Sequence, residues 1–303
     1  MAGPGFDVVV CGSLHLDIMV RSPHLPRLDE TVVGTAWGTV CGGKGGNQAV
    51  MAARMGARTA MIGRVGKDEF GRQLTANLVA NGVDISQVST DEAAGSGISV
   101  AILQSDGDYG AVIVSGANLG LNHDGARRSL ASLAGAKVLV LQNEIPAAVN
   151  AAIAAAGHGF AHVVLNAAPA RAMDSALFEQ LDTVVVNRVE AEMLSGLSVV
   201  DLASAAAALP VLGGGRRNVI VTLGGDGLVL QERGQSPMRM AAHPVAVVSS
   251  HGAGDCFIGA LASRLAQGQT LFEAARFANR SAAAYVSLKE QDRSAFHAGA
   301  VAS

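Results

Sequence analysis

The 303-residue chain has only three cysteines, Cys11, Cys41 and Cys256, an odd number with no C-x-x-C pair among them. A disulfide framework or a thiolate zinc site is therefore not expected, and the three read as free thiols filling a core in a reducing compartment. Charge is scarce as well: charged residues make up 16 % of the chain and the formal net charge is −3. Binding to nucleic acid or to an anionic membrane by counterion release needs a basic face, so the expected ligand is a small molecule. Apolar runs are cut by charge or glycine before they could span a bilayer, and 1-MAGPGFD-7 has neither the basic region nor the apolar core of a signal peptide. The protein is expected to be cytoplasmic. Internal repeats, coiled-coil heptads and low-complexity linkers are also missing, and 213-GGGRR-217 reads only as a short turn before a strand. What the chain does have is apolar content, at 50 %, enough for one large buried core.

Short β-branched runs at 7-DVVVCG-12, 137-KVLVLQ-142, 162-HVVLN-166, 183-TVVVN-187 and 218-NVIVTL-223 alternate with helical stretches such as 147-AAVNAAIAAA-156 and 201-DLASAAAAL-209. Strands apolar on both faces, alternating with helices, predict an α/β protein with a mainly parallel sheet covered on both sides. Ligands of such sheets bind beyond the carboxyl ends of the strands. Two segments, 18–40 and 97–116, break the pattern. They read as hairpin-like strand pairs with turns at 27-RLDE-30 and 105-SDGD-108 and no helix between their halves. They are expected to form a small β-sheet beside a single domain spanning 1–303, placed as a lid.

Two glycine clusters stand out. From Gly38 to Lys44 the chain spells G-x-x-x-x-G-K, but Gly45 follows where a P-loop needs the Ser or Thr that holds magnesium. The better description is the whole string 42-GGKGGNQA-49 leading into a helix over 47–55, where bare backbone amides, an ammonium and a carboxamide suit a polyhydroxylated ligand. A plain glycine-rich helix entry is the alternative. The second cluster, 252-GAGDCFIGALASRL-265, puts Gly252, Ala253 and Gly254 at the start of an apolar helix whose free amides favour an anion. Asp255 in that first turn can accept a proton from a hydroxyl or can merely cap its helix.

Taken in order, 12-GSLHLD-17, 42-GGKGGNQA-49, 115-SGAN-118, Glu144 in 142-QNEIP-146, 166-NAAPAR-171, 187-NRVEAE-192, 222-TLGGDG-227 and 252-GAGD-255 resemble the ribokinase-like carbohydrate kinase family. The resemblance covers almost the whole chain and implies a doubly wound α/β domain with a β-sheet lid. The implied reaction moves the γ-phosphoryl of ATP to a sugar hydroxyl with magnesium, with ribose the first candidate acceptor. Asp255 resembles the catalytic base, and Gly252, Ala253 and Gly254 the anion hole. His15, Asp17, Gly43, Lys44, Gly45, Gly46, Asn47 and Glu144 resemble the sugar site. Asn187 and Glu190 resemble the pair that organises magnesium through water, and Asn187, Thr222, Gly224, Gly225, Gly227 and Asn279 the nucleotide shelf. The implied partners are a sugar and ATP, with no nucleic acid and no membrane, and exposed lid strands are expected to pair in a homodimer.

The chain departs from the family pattern at three places. His15 stands where the family usually has Asn, which bears on the sugar preferred. Ser249 stands where a potassium-site Asp is usual, beside His251, which would lend a carbonyl. Glu290 stands in the later potassium segment near Ser294, with Lys289 and Arg293 close in sequence. Such a charge cluster usually marks a solvated surface. Glu290 could replace the lost carboxylate, or Lys289 or Arg293 could put a tethered cation there; weak or absent potassium dependence is expected. Kinases of a nucleoside or another sugar, and a non-catalytic sugar- or nucleotide-binding regulator, are the competing readings.

Overall fold

The computed structural model describes residues 5–104, 109–157 and 159–301. The turn expected at 105–108 lies outside the described residues. The strands in chain order are β1 (Val8–Cys11), β2 (His15–Arg21), β3 (Ala36–Gly42), β4 (Thr59–Gly66), β5 (Asp84–Asp91), β6 (Gly97–Leu103) and β7 (Tyr109–Val114). They continue with β8 (Val138–Gln142), β9 (His162–Asn166), β10 (Thr183–Asn187), β11 (Asn218–Thr222), β12 (Leu228–Gln231) and β13 (Met238–Met240). Nine of them form one sheet in the order β13-β12-β11-β10-β9-β8-β1-β4-β5; the other four form a second sheet, β3-β2-β6-β7. The large sheet is parallel from β5 to β11 and antiparallel at β12 and β13.

The helices are α1 (Lys44–Arg54), α2 (Glu69–Ala80), α3 (His123–Ser132), α4 (Ala147–Ala156), α5 (Ser175–Phe178), α6 (Arg188–Ser195), α7 (Leu202–Gly213), α8 (Ala253–Ala266) and α9 (Leu271–Val286). Strand side chains alternate between two cores. Val8 and Val10 face a core with α1, α2, α8 and α9, whereas Val9 and Cys11 face one with residues of α3, α4, α5 and α7. Burial on both faces is why these strands are unbroken apolar runs rather than alternating ones. The Cys11 thiol, wholly buried, is pushed up to about 12 and is inert filler.

Two helices differ from expectation. The helix expected over 47–55 begins at Lys44, because its glycines let the first turn lie directly on the backbone of residues 12–14. The helix expected over 201–209 runs on through Pro210 to Gly213, its last turn held by the buried Leu209 and Leu212. The small sheet takes its strands from around both anomalous segments, but β2 starts at His15 and β3 ends at Gly42, so it reaches down to the rim of the large sheet. No helix among the described residues is long and apolar enough to cross a membrane.

Candidate active site

Strand order reverses at β1, which lies between β4 on one side and β8 on the other. The crevice beyond the carboxyl ends of β1 and β8 is thus the place where such a sheet opens to a ligand. Gly12 and Ser13 leave β1 there, and Asn143 and Glu144 leave β8. One oxygen of Glu144, Oε2, accepts from the Ser13 hydroxyl at 2.5 Å and from the Lys44 amide at 2.9 Å, and lies 3.8 Å from His15 Nδ1. Asn118 bridges the gap between β1 and β2. Its Oδ1 accepts from the Leu14 amide at 2.8 Å, and its Nδ2 donates to the Leu14 carbonyl at 2.8 Å. A side-chain amide thereby stands in for a strand neighbour where the two sheets part.

His15 and Asp17 share one face of β2 by the two-residue strand period. Asp17 Oδ1 accepts from Ser99 Oγ of β6 at 2.6 Å, and a Cβ on Gly42, which pairs with His15, would lie 2.1 Å from Oδ2. His15 is buried, its Nε2 without a partner among the described residues. Burial holds its imidazole below the ordinary range against the pull of Glu144 and Asp17, so the ring is neutral at pH 7.

At the start of α1 the amides are already used. The Lys44 amide goes to Glu144, that of Gly45 to Ser13 Oγ at 3.4 Å, and those of Gly46 and Asn47 to the carbonyls of Ser13 and Gly43, both at 2.9 Å. A Cβ on Gly45 would meet backbone atoms of Gly12 and Ser13 at 2.6 Å. These glycines therefore serve close packing.

The start of α8 is different. Gly252 enters it at φ 78, and a Cβ on Gly254 would meet nothing within 4 Å. Ala253 and Cys256 donate to the carbonyls of Ser250 and Gly252, while the amides of Gly254 and Asp255 have no acceptor among the described residues. Gly259, one turn on, lets α8 cross α1 closely: a Cβ there would lie 2.6 Å from Met51 Cβ and 2.9 Å from the Gln48 carbonyl. That crossing brings Asn47 and Gln48 onto Asp255. Asn47 Nδ2 donates to Oδ2 at 3.0 Å and Gln48 Nε2 to Oδ1 at 2.9 Å. Asp255 is no helix cap, since α8 has no side-chain cap bond. Burial raises its pKa above the ordinary carboxylate range, against the Lys44 charge and the two amide donors.

Two cavities meet at Gly252 and Asp255. One, of about 250 Å³, is walled by Lys44, Asn187, Glu190, Thr222 and residues 250–255; the other, of about 360 Å³, by β3 residues 39–41, Asn47, Tyr285 and Arg293. Lys44, expected among the sugar residues, thus has its side chain on the first cavity beside the anion loop. Asn187 and Glu190 form a reciprocal capping box on α6: Asn187 Oδ1 accepts from the Glu190 amide at 3.0 Å and Glu190 Oε2 from the Asn187 amide at 2.8 Å. Burial raises the Glu190 pKa, opposed by that amide bond and by Lys44. Among the described residues no group of three or more His, Cys, Asp or Glu could hold a metal alone. The pair suits a magnesium ion that arrives with phosphates and its own water.

On the expected nucleotide shelf, Thr222 ends β11 and Gly224 and Gly225 have open space above them. Gly227 packs instead: at φ 94, a Cβ there would lie 2.1 Å from the Met240 carbonyl. Asn279 Nδ2 donates to the Ala241 carbonyl at 2.8 Å, tying α9 to the end of β13.

Of the residues expected at a potassium site, His251, Glu290 and Ser294 line the second cavity together with Arg293. Glu290 and Ser294 are exposed, and Ser249 and His251 turn their carbonyls to the guanidinium of Arg293. The charge cluster is a solvated surface only in part: Lys289 and Glu290 are exposed, but Arg293 is 7 % exposed. Sequence reasoning also passed over Gln48, Ser13 and Asn118 as individual residues, although all three lie inside or beside quoted motifs.

Residues 6–295 match the family model described as pfkB family carbohydrate kinase. The chain is 36 % identical to ribokinase of Mus musculus over 263 residues, 86 % of this chain and 81 % of that protein. It is 32 % identical to ribokinase of Haemophilus influenzae over 284 residues, 93 % of this chain and 92 % of the other. The solved structure of Arabidopsis thaliana ribokinase complexed with ribose and ATP aligns with a TM-score of 0.86 at 29 % identity, covering 98 % of this chain and 96 % of that one.

Proposed function

The chain belongs to the pfkB family of carbohydrate kinases, and we propose that it phosphorylates a pentose, ribose first, at the crevice between β1, β8 and the start of α8. It is a phosphotransferase that uses ATP and has a sugar hydroxyl as acceptor. The observation that supports this assignment of roles is the Asp255 carboxylate, held by two amide donors and flanked by unspent helix amides. In this reading Asp17, Asn47 and Glu144 hold sugar hydroxyls, and the neutral His15 braces Glu144 from beside it. Asp255 accepts the proton of the attacking hydroxyl as its oxygen bonds the γ-phosphorus and the bond to the ADP oxygen breaks. The Gly254 and Asp255 amides and the Lys44 ammonium take up charge on the phosphoryl group in flight. Magnesium, when bound with the nucleotide, supplies charge neutralisation between the phosphates; Glu190 and Asn187 would orient its waters. Thr222, Gly224 and Gly225 leave room for the nucleotide, while Gly227 and Asn279 shape the shelf through packing and the bond to Ala241.

The small sheet acts as the lid that excludes water from the acceptor site. On the face of that sheet opposite Asp17, Trp37, Val112 and Val114 are 76, 66 and 52 % exposed, an apolar face suited to a second copy of the chain. A coupled assay of ADP release with and without ribose, 2-deoxyribose, hexoses and nucleosides tests the reading. Ribose is expected to stimulate turnover most; ATP consumption indifferent to every sugar would overturn it. Sedimentation of wild type and Trp37→Asp tests the pairing, with a dimer expected only for the first.

A further inference from the structure

Arg293 is a cation buried behind the anion loop. It sits in the 3₁₀ turn Glu290–Ala295 after α9, with Nη1 donating to the His251 carbonyl at 2.9 Å and Nη2 to the Ser249 carbonyl at 2.6 Å. Its guanidinium carbon lies 4.6 Å from the centre of the Tyr285 ring, and a Cβ on Gly252 would lie 3.2 Å from the edge of that ring. Its own carbonyl accepts from Arg54 Nη1 of α1 at 2.8 Å, so the turn is fixed to the helix that carries Asn47 and Gln48. The Arg54 side chain is fixed in turn by Asn81, which accepts from its Nε at 2.8 Å.

Gly252 is the N-cap of α8, so the Gly254 and Asp255 amides are first-turn donors that the helix itself does not pair. Arg293 holds the His251 and Ser249 carbonyls of the loop that leads into that turn, and the two amides have no acceptor among the described residues. A planar fork that spans two carbonyls fixes their direction as well as supplying charge, which a bare ion cannot do with two ligands. The same geometry answers the potassium question raised by the sequence. Two of the oxygens a monovalent ion would need are already donated to, and the buried guanidinium would repel an ion placed against them. The residues present do not fit potassium.

We propose that Arg293 is a positioning residue, a built-in cation that holds the 249–255 loop with its amides facing the phosphoryl group, so that turnover needs no monovalent ion. The proposal rests on the phosphotransferase reading above. At fixed ionic strength, exchanging potassium for tetramethylammonium should change wild-type kcat less than twofold. Arg293→Ala should lose at least tenfold in kcat, up to the about 10²–10³-fold cost of an anion-hole donor. Sugar KM should move little. Added guanidinium or potassium ion should restore part of the lost rate in this variant alone, and Arg293→Lys should keep more activity than Arg293→Ala. A readout independent of catalysis is the melting temperature: millimolar potassium or guanidinium should raise that of Arg293→Ala and leave wild type unmoved. Saturable activation or stabilisation of wild type by millimolar potassium overturns the proposal, as does an Arg293→Ala enzyme whose loss neither ion repairs. If Arg293→Ala does not fold, the wild-type titrations and Arg293→Lys still decide. A wild type that binds ADP and melts as expected yet phosphorylates nothing in any cation would instead sink the functional reading.

Discussion

Helices α1 and α8 begin alike and serve opposite ends. Each is entered through a glycine at positive φ, Gly43 at 82 and Gly252 at 78, and neither has a side-chain cap bond. At α1 the first-turn amides go to protein oxygens and the glycines press on neighbouring backbone. At α8 two amides stay unspent and Gly254 faces open space. A glycine-rich helix start is therefore two different devices: one lets chain segments approach, the other keeps donors bare for a ligand. At the closed start it is the side chains of Asn47 and Gln48, not the amides, that reach out to Asp255.

The largest effect that could break this contrast is at Asp255 itself. Asp255→Asn should lower kcat by about 10²–10⁴-fold with sugar KM little changed, because the amide cannot accept the proton. Stability should move the other way. A carboxyl whose pKa is raised on folding contributes its stability below the unfolded value and loses it as pH rises through the folded one. The uncharged Asn variant should thus melt no lower than wild type at pH 7. For the same reason the acid limb of kcat/KM in wild type should lie above the ordinary carboxylate range, and should be absent from the residual rate of the variant.

Next in size is Gln48→Leu, which removes one donor to the half-buried Asp255 carboxylate, an interaction of about 1.5–3 kcal/mol. A loss of kcat by about tenfold to a hundredfold is expected, with the acid limb moved to higher pH; an unmoved limb would show that Gln48 only packs. The glycines give the sharpest pair. Gly45→Ala should cost about 1–3 kcal/mol in denaturant unfolding through overpacking against Gly12 and Ser13. Gly254→Ala should change stability by no more than about 0.5 kcal/mol, yet lower kcat by placing a methyl group over the unspent amides. If Gly254→Ala unfolds the protein as readily as Gly45→Ala, the two helix starts are one device after all.

The strands buried on both faces, β8, β9, β10 and β11, and the helix at 147–156 were legible because unbroken apolar runs can only be sheet interior or helix core. β4, β5, β12 and β13 went unread. β5 carries Asp84, Ser86, Gln87 and Asp91 on a sheet edge, and β13 is three residues long, so neither shows a usable period. Asp255 and its glycines were legible as a motif, but its two amide donors depend on how α1 crosses α8. Arg293 was legible only as one charge in a cluster. Its burial follows from the path of the 3₁₀ turn beneath Tyr285, which no local pattern encodes.

Sequence alone determined the residue types of the chemistry and the sheet that carries them, since both follow from motif order and from hydrophobic runs short in sequence. Tertiary structure alone decided which glycines pack and which expose amides, that Lys44 faces the anion loop, and that the Arg293 guanidinium lies on the Ser249 and His251 carbonyls. Those outcomes rest on contacts between residues as far apart as 48 and 255 or 251 and 293, and on desolvation, which only the assembled fold creates.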